Sequence, residues 1–203
     1  TEKLRPYFID MFVCALIEET VFHRPRKQEL VKAPLVLIHQ NQCSATFSGK
    51  DVAYRDQISG IAGKKGQEWL LKWLVAYINS PLAKYYHFLT SASWAIERER
   101  IIQWEYEEMP FLVPDKNDER LKRILHHLDE IETLYNDGFV FNSKYVQEHK
   151  KAINELVFEI YGLHPVEQQL VKDTLEYGIE FFNWSKGKNR KPQGAKPVQR
   201  PDS

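Results

Sequence analysis

The sequence has little of what small secreted scaffolds and metal sites are built from. Cys14 and Cys43 are its only cysteines, and neither belongs to a C-x-x-C or C-x-x-H pair. That excludes a zinc ribbon and a disulfide framework, and a reducing, cytoplasmic setting is the expectation. No run approaches the roughly 18 consecutive apolar residues that a membrane-spanning helix needs. The first residues also lack the basic, apolar, small-residue order of a signal peptide. The chain opens at Thr1 without an initiator methionine, from which an excised piece of a longer protein is expected.

Catalytic motifs are missing as well. "SGK" and "AGKKG" look like fragments of a phosphate loop, but neither has a glycine at the required distance before G-K-[ST], so both are read as turns. Asp115, Glu148 and Lys150 look like the carboxylates and lysine of a metal-dependent nuclease. Glu148 and Lys150 fall in a helical pattern, whereas the nuclease set is borne on strands, so the match is a coincidence. His126 or His127 with Glu130 offers a metal two ligands and no third, and is read as a solvated helix face.

Net charge is absent too, with Lys+Arg and Asp+Glu at 28 each, but its distribution is uneven. Thr20 to Arg100 holds 12 basic and 6 acidic residues, while Ile101 to Ser185 holds 8 basic and 17 acidic. A polyanion is the natural partner of the first part; solvated surface is the plain alternative for both. Lys186 to Ser203 has 6 basic residues, 1 acidic residue and three prolines, with almost nothing apolar, and is expected to be a disordered basic tail.

What remains is an α+β pattern. "YFIDMFVCALIEETVF" fits a strand or a helix. "LVLIHQ" reads as a buried strand, followed by two short strands in "CSATF" and "VAYRD", and "GIAGKKG" reads as a glycine loop. Then the period changes. Trp69, Leu70, Trp73, Leu74, Tyr77 and Ile78 form one helical stripe, and a short helix follows Pro81. "NDERLKRILHHLDEIETLYNDG", capped at Asn117 or Asp118, carries Leu121, Ile124, Leu125, Leu128, Ile131 and Tyr135 on one face. "SKYVQEHKKAINELVFEIYG" and "PVEQQLVKDTLEYGIEFFNW" repeat that arrangement, so the three helices are expected to pack as an antiparallel bundle.

A family resemblance runs through "FHRPRKQELVKAPLVLIHQNQ", "AYRDQISGIAG", "LLKWLVAYINSPLAKYYHFLTSASWAIERERI" and "EEMPFLVP". This ordered set, covering approximately Phe22 to Phe182, resembles the C-terminal target-recognition region of large adenine-specific DNA methyltransferases and fused restriction-modification enzymes, some of them used in phage defence. Asn79, Ser80, Leu82, Tyr85, Tyr86, Trp94, Arg98 and Pro110 stand where the family's "LNS-x-L-x-x-Y-Y" phrase and its continuation place them. "INELVFEIYGLHPVEQQLV" looks like the family's closing phrase, with Ile160 in place of a leucine. The resemblance implies double-stranded DNA as a partner. It also implies a catalytic methyltransferase domain in the same parent chain, with S-adenosylmethionine as that parent's cofactor. The Asn-Pro-Pro-Tyr-type motif and the glycine-rich cofactor turn are both absent here, so no cofactor and no methyl transfer are expected from these residues.

Lys and Arg supply DNA affinity at phosphates, and amides read base edges. Arg24, Arg26, Lys27, Lys50, Lys64, Lys65, Arg98 and Arg100 are the candidate phosphate contacts. Gln40, Asn41 and Gln42 are the candidate base readers, or else a polar turn. Trp94 either stacks on a base or plugs the core, in a stretch that links the sheet to the helices. The expected organisation is a recognition domain over residues 1–114, a helical bundle over 115–185 and the tail over 186–203. A docking module, whose acidic bundle binds a catalytic domain or partner subunit, is the competing class.

Overall fold

The computed structural model describes residues 6–9, 27–40, 43–54, 57–91 and 101–178. It shows an α+β fold with a four-stranded mixed sheet in the order β1-β3-β2-β4: β1 is Tyr7–Phe8, β2 Leu35–His39, β3 Ser44–Ser48 and β4 Ile58–Ala62. The central strand β2, with Leu, Val and Ile at successive positions, runs antiparallel to both β3 and β4, and all five of its residues are buried. Strand β1, which pairs parallel to β3, comes from the N-terminal segment whose structure the pattern left open, and residues 10–22 of that segment lie outside the described residues.

Two expectations about strands need correcting. Val52 to Tyr54 of "VAYRD" is irregular, and the strand comes later, taking in Gly60, Ile61 and Ala62 from the expected glycine loop. Packing explains the shift, because a Cβ on Gly60 would overlap the Tyr54 ring, so this glycine lets the ring lie close against β4. Of the glycines in "GIAGKKG", Gly66 alone adopts a positive φ, at 84°.

The helices are α1 (Glu68–Asn79), α2 (Pro81–Thr90), α3 (Gln103–Glu107), α4 (Glu119–Asn136), α5 (Lys144–Ile160) and α6 (Pro165–Asp173), the last running into a π-helical turn at Thr174–Gly178. Asp118 is the cap of α4, accepting the Arg120 N–H at 2.8 Å, and Ser143 caps α5 through the Val146 N–H. The expected face of α4 is buried at Leu121, Ile124, Leu128, Ile131 and Tyr135.

The helical packing differs from a bundle of the last three helices. α4 and α5 pair extensively, but the helix that completes their group is α1, which also lies on β3. Lying between sheet and helices, α1 is buried beyond a single stripe, at Leu71, Trp73, Val75, Ala76, Tyr77 and Ile78. α6 packs on α2 instead. Val171 is its one buried residue, and Val166 and Leu170 are 71% and 56% exposed, so it has little to bury against α4 and α5. One hydrophobic cluster joins the parts, containing Phe47 of β3, Trp73 of α1, Ile124 of α4 and Val157 of α5.

Candidate nucleic-acid interface

The register sorts the candidate residues into two groups. Leu35 pairs with Ser48 on one side and Ala62 on the other, so the segments carrying Lys50, Lys64 and Lys65 leave the sheet together at the start of β2. Lys27 opens the 3-10 turn Gln28–Val31, and that turn is held at the same end by the Val52 N–H donating to the Val31 carbonyl at 3.0 Å. Lys27, Lys32, Lys50, Lys64 and Lys65 are all exposed, and none of them makes an ion pair among the described residues. Glu29 and Asp51 share the neighbourhood and are exposed too; Asp51 Oδ1 accepts the Ala33 N–H at 2.8 Å.

Gln40 lies at the opposite end, beyond His39, which pairs with Ser44 and Ile58. A five-residue strand separates the two ends by roughly 15 Å. Gln40 is held firmly: its Nε2 donates to Ser59 Oγ at 3.1 Å, its N–H to the Gln57 carbonyl at 3.2 Å, and its carbonyl accepts the Ile101 N–H at 2.8 Å. The lysines and Gln40 are therefore not brought together. Arg24, Arg26, Asn41, Gln42, Arg98 and Arg100 lie outside the described residues, as do Trp94 and the expected tail.

The residues carrying the family resemblance have concrete structural work. Asn79 at the end of α1 reaches the sheet, where its Oδ1 accepts the Ala45 N–H at 3.1 Å and its Nδ2 donates to the Ala45 carbonyl at 2.8 Å. It does this where β1, paired only with Thr46 and Phe47, no longer covers β3. Ser80 caps α2 by accepting the Ala83 N–H, and Pro81 takes the first helical position, where a missing N–H costs nothing. Tyr86 Oη donates to the Glu108 carbonyl at 3.3 Å. Tyr161, from "EIYGL", donates to the Pro110 carbonyl and accepts the Leu112 N–H, both at 3.1 Å, so the two resemblance phrases touch each other.

The sequence pattern gives little sign of a buried polar group formed by α2, α3 and the start of β3. His87 is fully buried, and neither ring nitrogen has a hydrogen-bond partner among the described residues. Tyr86 and Tyr106 present their rings nearly edge-on, with centroids 5.6 and 4.9 Å away. Burial pushes the imidazole down to about 4, against an upward pull from buried Glu105. The Cys43 thiol beside Tyr106 is pushed up to about 12, also by burial. Both groups are thus neutral at pH 7. The only hint in the sequence is "YYHF", a histidine between aromatics, a type more often found in cores than in sites.

His87 makes stability pH-dependent, with a definite sign. The unfolded chain takes up its proton near pH 6.5 and the folded chain only near 4, so the neutral ring's contribution is complete above 6.5 and is lost as the pH falls toward 4. The loss attributable to this residue is expected to be roughly 3 kcal/mol at about 1.4 kcal/mol per unit. Denaturant unfolding of wild type and His87→Leu at pH 7 and 4.5 measures it. An equal loss in both proteins would place the acid sensitivity elsewhere, for example at His127, which burial and His149 also hold low.

His126 comes no nearer than 4.0 Å to Glu130, and His127 Nδ1 instead meets His149 Nδ1 at 3.0 Å. Among the described residues no group of three or more His, Cys, Asp or Glu is placed to hold a metal, and no helix is long and apolar enough to cross a membrane. Comparison with family models, with curated proteins and with solved structures finds no match to the chain.

Proposed function

We propose that the chain reads DNA for an adenine-specific methyltransferase or restriction-modification enzyme whose catalytic domain, with its S-adenosylmethionine, is a separate part of the parent protein. The observation that carries this reading is the group of exposed lysines without ion pairs, Lys27, Lys32, Lys50, Lys64 and Lys65, gathered at one end of the sheet. Long, flexible ammonium groups outside ion pairs suit the phosphates of a duplex, which hold register and orientation without reading sequence. The motif resemblance supplies the sequence-reading part of the proposal.

Salt dependence tests it. Log affinity for duplex DNA is expected to fall linearly with log salt, with a slope of roughly 0.9 per phosphate contacted. Changing Lys50, Lys64 and Lys65 together to Ala is expected to flatten that slope by about one to three contacts while leaving the unfolding midpoint unchanged, because all three are exposed. A slope that stays the same removes this end of the sheet from any DNA interface.

A second reading, the docking module, is favoured by a different observation. Val166 and Leu170 of α6 and Tyr177 of the π-helical turn after it are 71%, 56% and 62% exposed, apolar surface that a partner would cover. It gains if the salt slope is indifferent to the lysines.

A further inference from the structure

A small concavity lies on the Gln40 side of the fold, between the N-terminal strand, the start of β3 and helices α2 and α5. Its volume is about 130 Å³, and its walls include Tyr7, Ser44, Asn79, Lys84, Phe141 and Lys150. Two of these are lysines from different helices, and no acidic residue lines it among the described residues. We propose that this concavity is a binding site for a phosphate-class oxyanion, with Lys84 and Lys150 as its charged donors and the Tyr7 and Ser44 hydroxyls as neutral ones.

Lys150 stands against what charged side chains ordinarily do. It is half-buried and makes no ion pair among the described residues, and its ammonium sits 4.9 Å from the Phe141 ring centroid. Burial first, and then the charge of Lys84, hold it below its ordinary value. Two lysines lining one partly enclosed space, with no acidic residue beside them among the described residues, weaken the fold locally, because Lys150 loses hydration and the two charges repel. An oxyanion between them would reverse both effects.

Tyr7 lines the same concavity as the lysines. It is fully buried, its hydroxyl has no hydrogen-bond partner among the described residues, and burial raises it far above the phenol range, so it stays an O–H donor. A buried hydroxyl left without a partner costs free energy unless something accepts from it. Ser44, at the start of β3, lines the same concavity. Asn79 is different. Both ends of its amide are committed to Ala45 and Val75, so it forms wall and not ligand.

Size selects within the class. A space of about 130 Å³ is close to the roughly 150 Å³ that holds one benzene, so a single tetrahedral oxyanion fits and a nucleoside does not. Inorganic phosphate and the backbone phosphate of a nucleic acid share that chemistry. The second source would deepen the DNA reading and rests on it, since Ser44 begins the strand that follows the Gln40 turn. The site itself stands without that reading.

Titration of the whole chain with inorganic phosphate, against chloride at equal ionic strength, tests the site through amide chemical shifts and thermal midpoint. Phosphate is expected to raise the midpoint by several degrees and to shift resonances around Ser44, Lys84 and Lys150, while chloride does neither. Lys84→Gln and Lys150→Gln are each expected to weaken phosphate binding at least tenfold without lowering the phosphate-free midpoint, because each removes a like-charge repulsion. Lys116→Gln, at an exposed lysine outside both the concavity and the lysine group at the end of the sheet, serves as the control and is expected to bind as wild type does. Equal responses to phosphate and chloride overturn the proposal, and so does unchanged phosphate binding in both variants.

Duplex DNA then separates the sources. A salt slope lowered by about one contact in Lys84→Gln and Lys150→Gln identifies a backbone phosphate, again at roughly 0.9 per phosphate. An unchanged slope alongside lost phosphate binding identifies a free oxyanion. Either supports the site, and neither depends on the slope change sought at Lys50, Lys64 and Lys65.

Discussion

Trp73→Ala is expected to cost about 3–5 kcal/mol of unfolding free energy, the range for deleting a buried aromatic side chain, and to lower the thermal midpoint by roughly 10 °C. Trp73 is fully buried in α1, and its indole stacks at 6.3 Å on both Tyr77 and Phe111, with Tyr161 at the same distance on a tilted face. Its Nε1–H donates to the Leu112 carbonyl at 2.8 Å, which ties the "MPFLVP" segment to the central helix. The variant therefore opens a cavity, leaves a carbonyl unpaired and loosens the segment that Tyr161 holds from the other side. Trp73→Phe should recover most of the packing and lose only the hydrogen bond, about 1 kcal/mol. If Trp73→Ala unfolds within 1 kcal/mol of wild type in denaturant, the central position given to α1 is wrong.

Asn79→Leu should be nearly as damaging, at about 2–4 kcal/mol, although it keeps the side-chain volume. The cost comes from β3, since the Ala45 N–H and carbonyl lose Asn79 where β1 has already ended and water has little access to a fully buried residue. Each buried group left unpaired costs roughly 1–3 kcal/mol. Ser80→Ala, one residue along, removes a helix cap and should cost only about 1 kcal/mol. The comparison separates a helix-to-sheet tie from a general fragility of the α1–α2 corner. Comparable losses for the two variants, measured by chemical denaturation, would mean that Asn79 is not replacing a strand partner.

Much of the helical half is legible from the chain alone, for a physical reason. A helix that buries one face writes its own period, so Leu121, Ile124, Leu128, Ile131 and Tyr135 announce α4, with Asn117 or Asp118 marking its start and the structure choosing Asp118. β2 is legible because a strand buried on both faces is uniformly apolar. β4 is not, because its strand character depends on Tyr54 closing over Gly60, a contact between residues that no local pattern links. The placement of α6 is hidden in the same way, since its period is amphipathic while α1 has already taken the place beside α4 and α5.

The candidate site divides along similar lines. Lysine-rich stretches are visible as composition, and nothing more than composition picks out Lys50, Lys64 and Lys65. Lys84 and Lys150 escape any such reading because each is an unremarked lysine in a helix, and they share a concavity only once α2 and α5 are packed. His87 escapes because its neighbours Glu105 and Tyr106 come from a helix that is distant in sequence.

The sequence by itself determined the fold class, the buried central strand, the extents of α4 and α5, and the separation of basic from acidic halves. These follow from local rules, in which side-chain period, cap chemistry and charge are properties of short windows. Tertiary structure alone decided that α1 is the common core of sheet and helices and that Asn79 completes the edge of β3. It also decided that Gln40 and the exposed lysines stand at opposite ends of the strands, and that Lys84 meets Lys150. Those outcomes depend on which buried groups remain unpaired after the chain closes on itself. That is settled by competition among distant segments for the same apolar surface and hydrogen bonds, and no single segment records it.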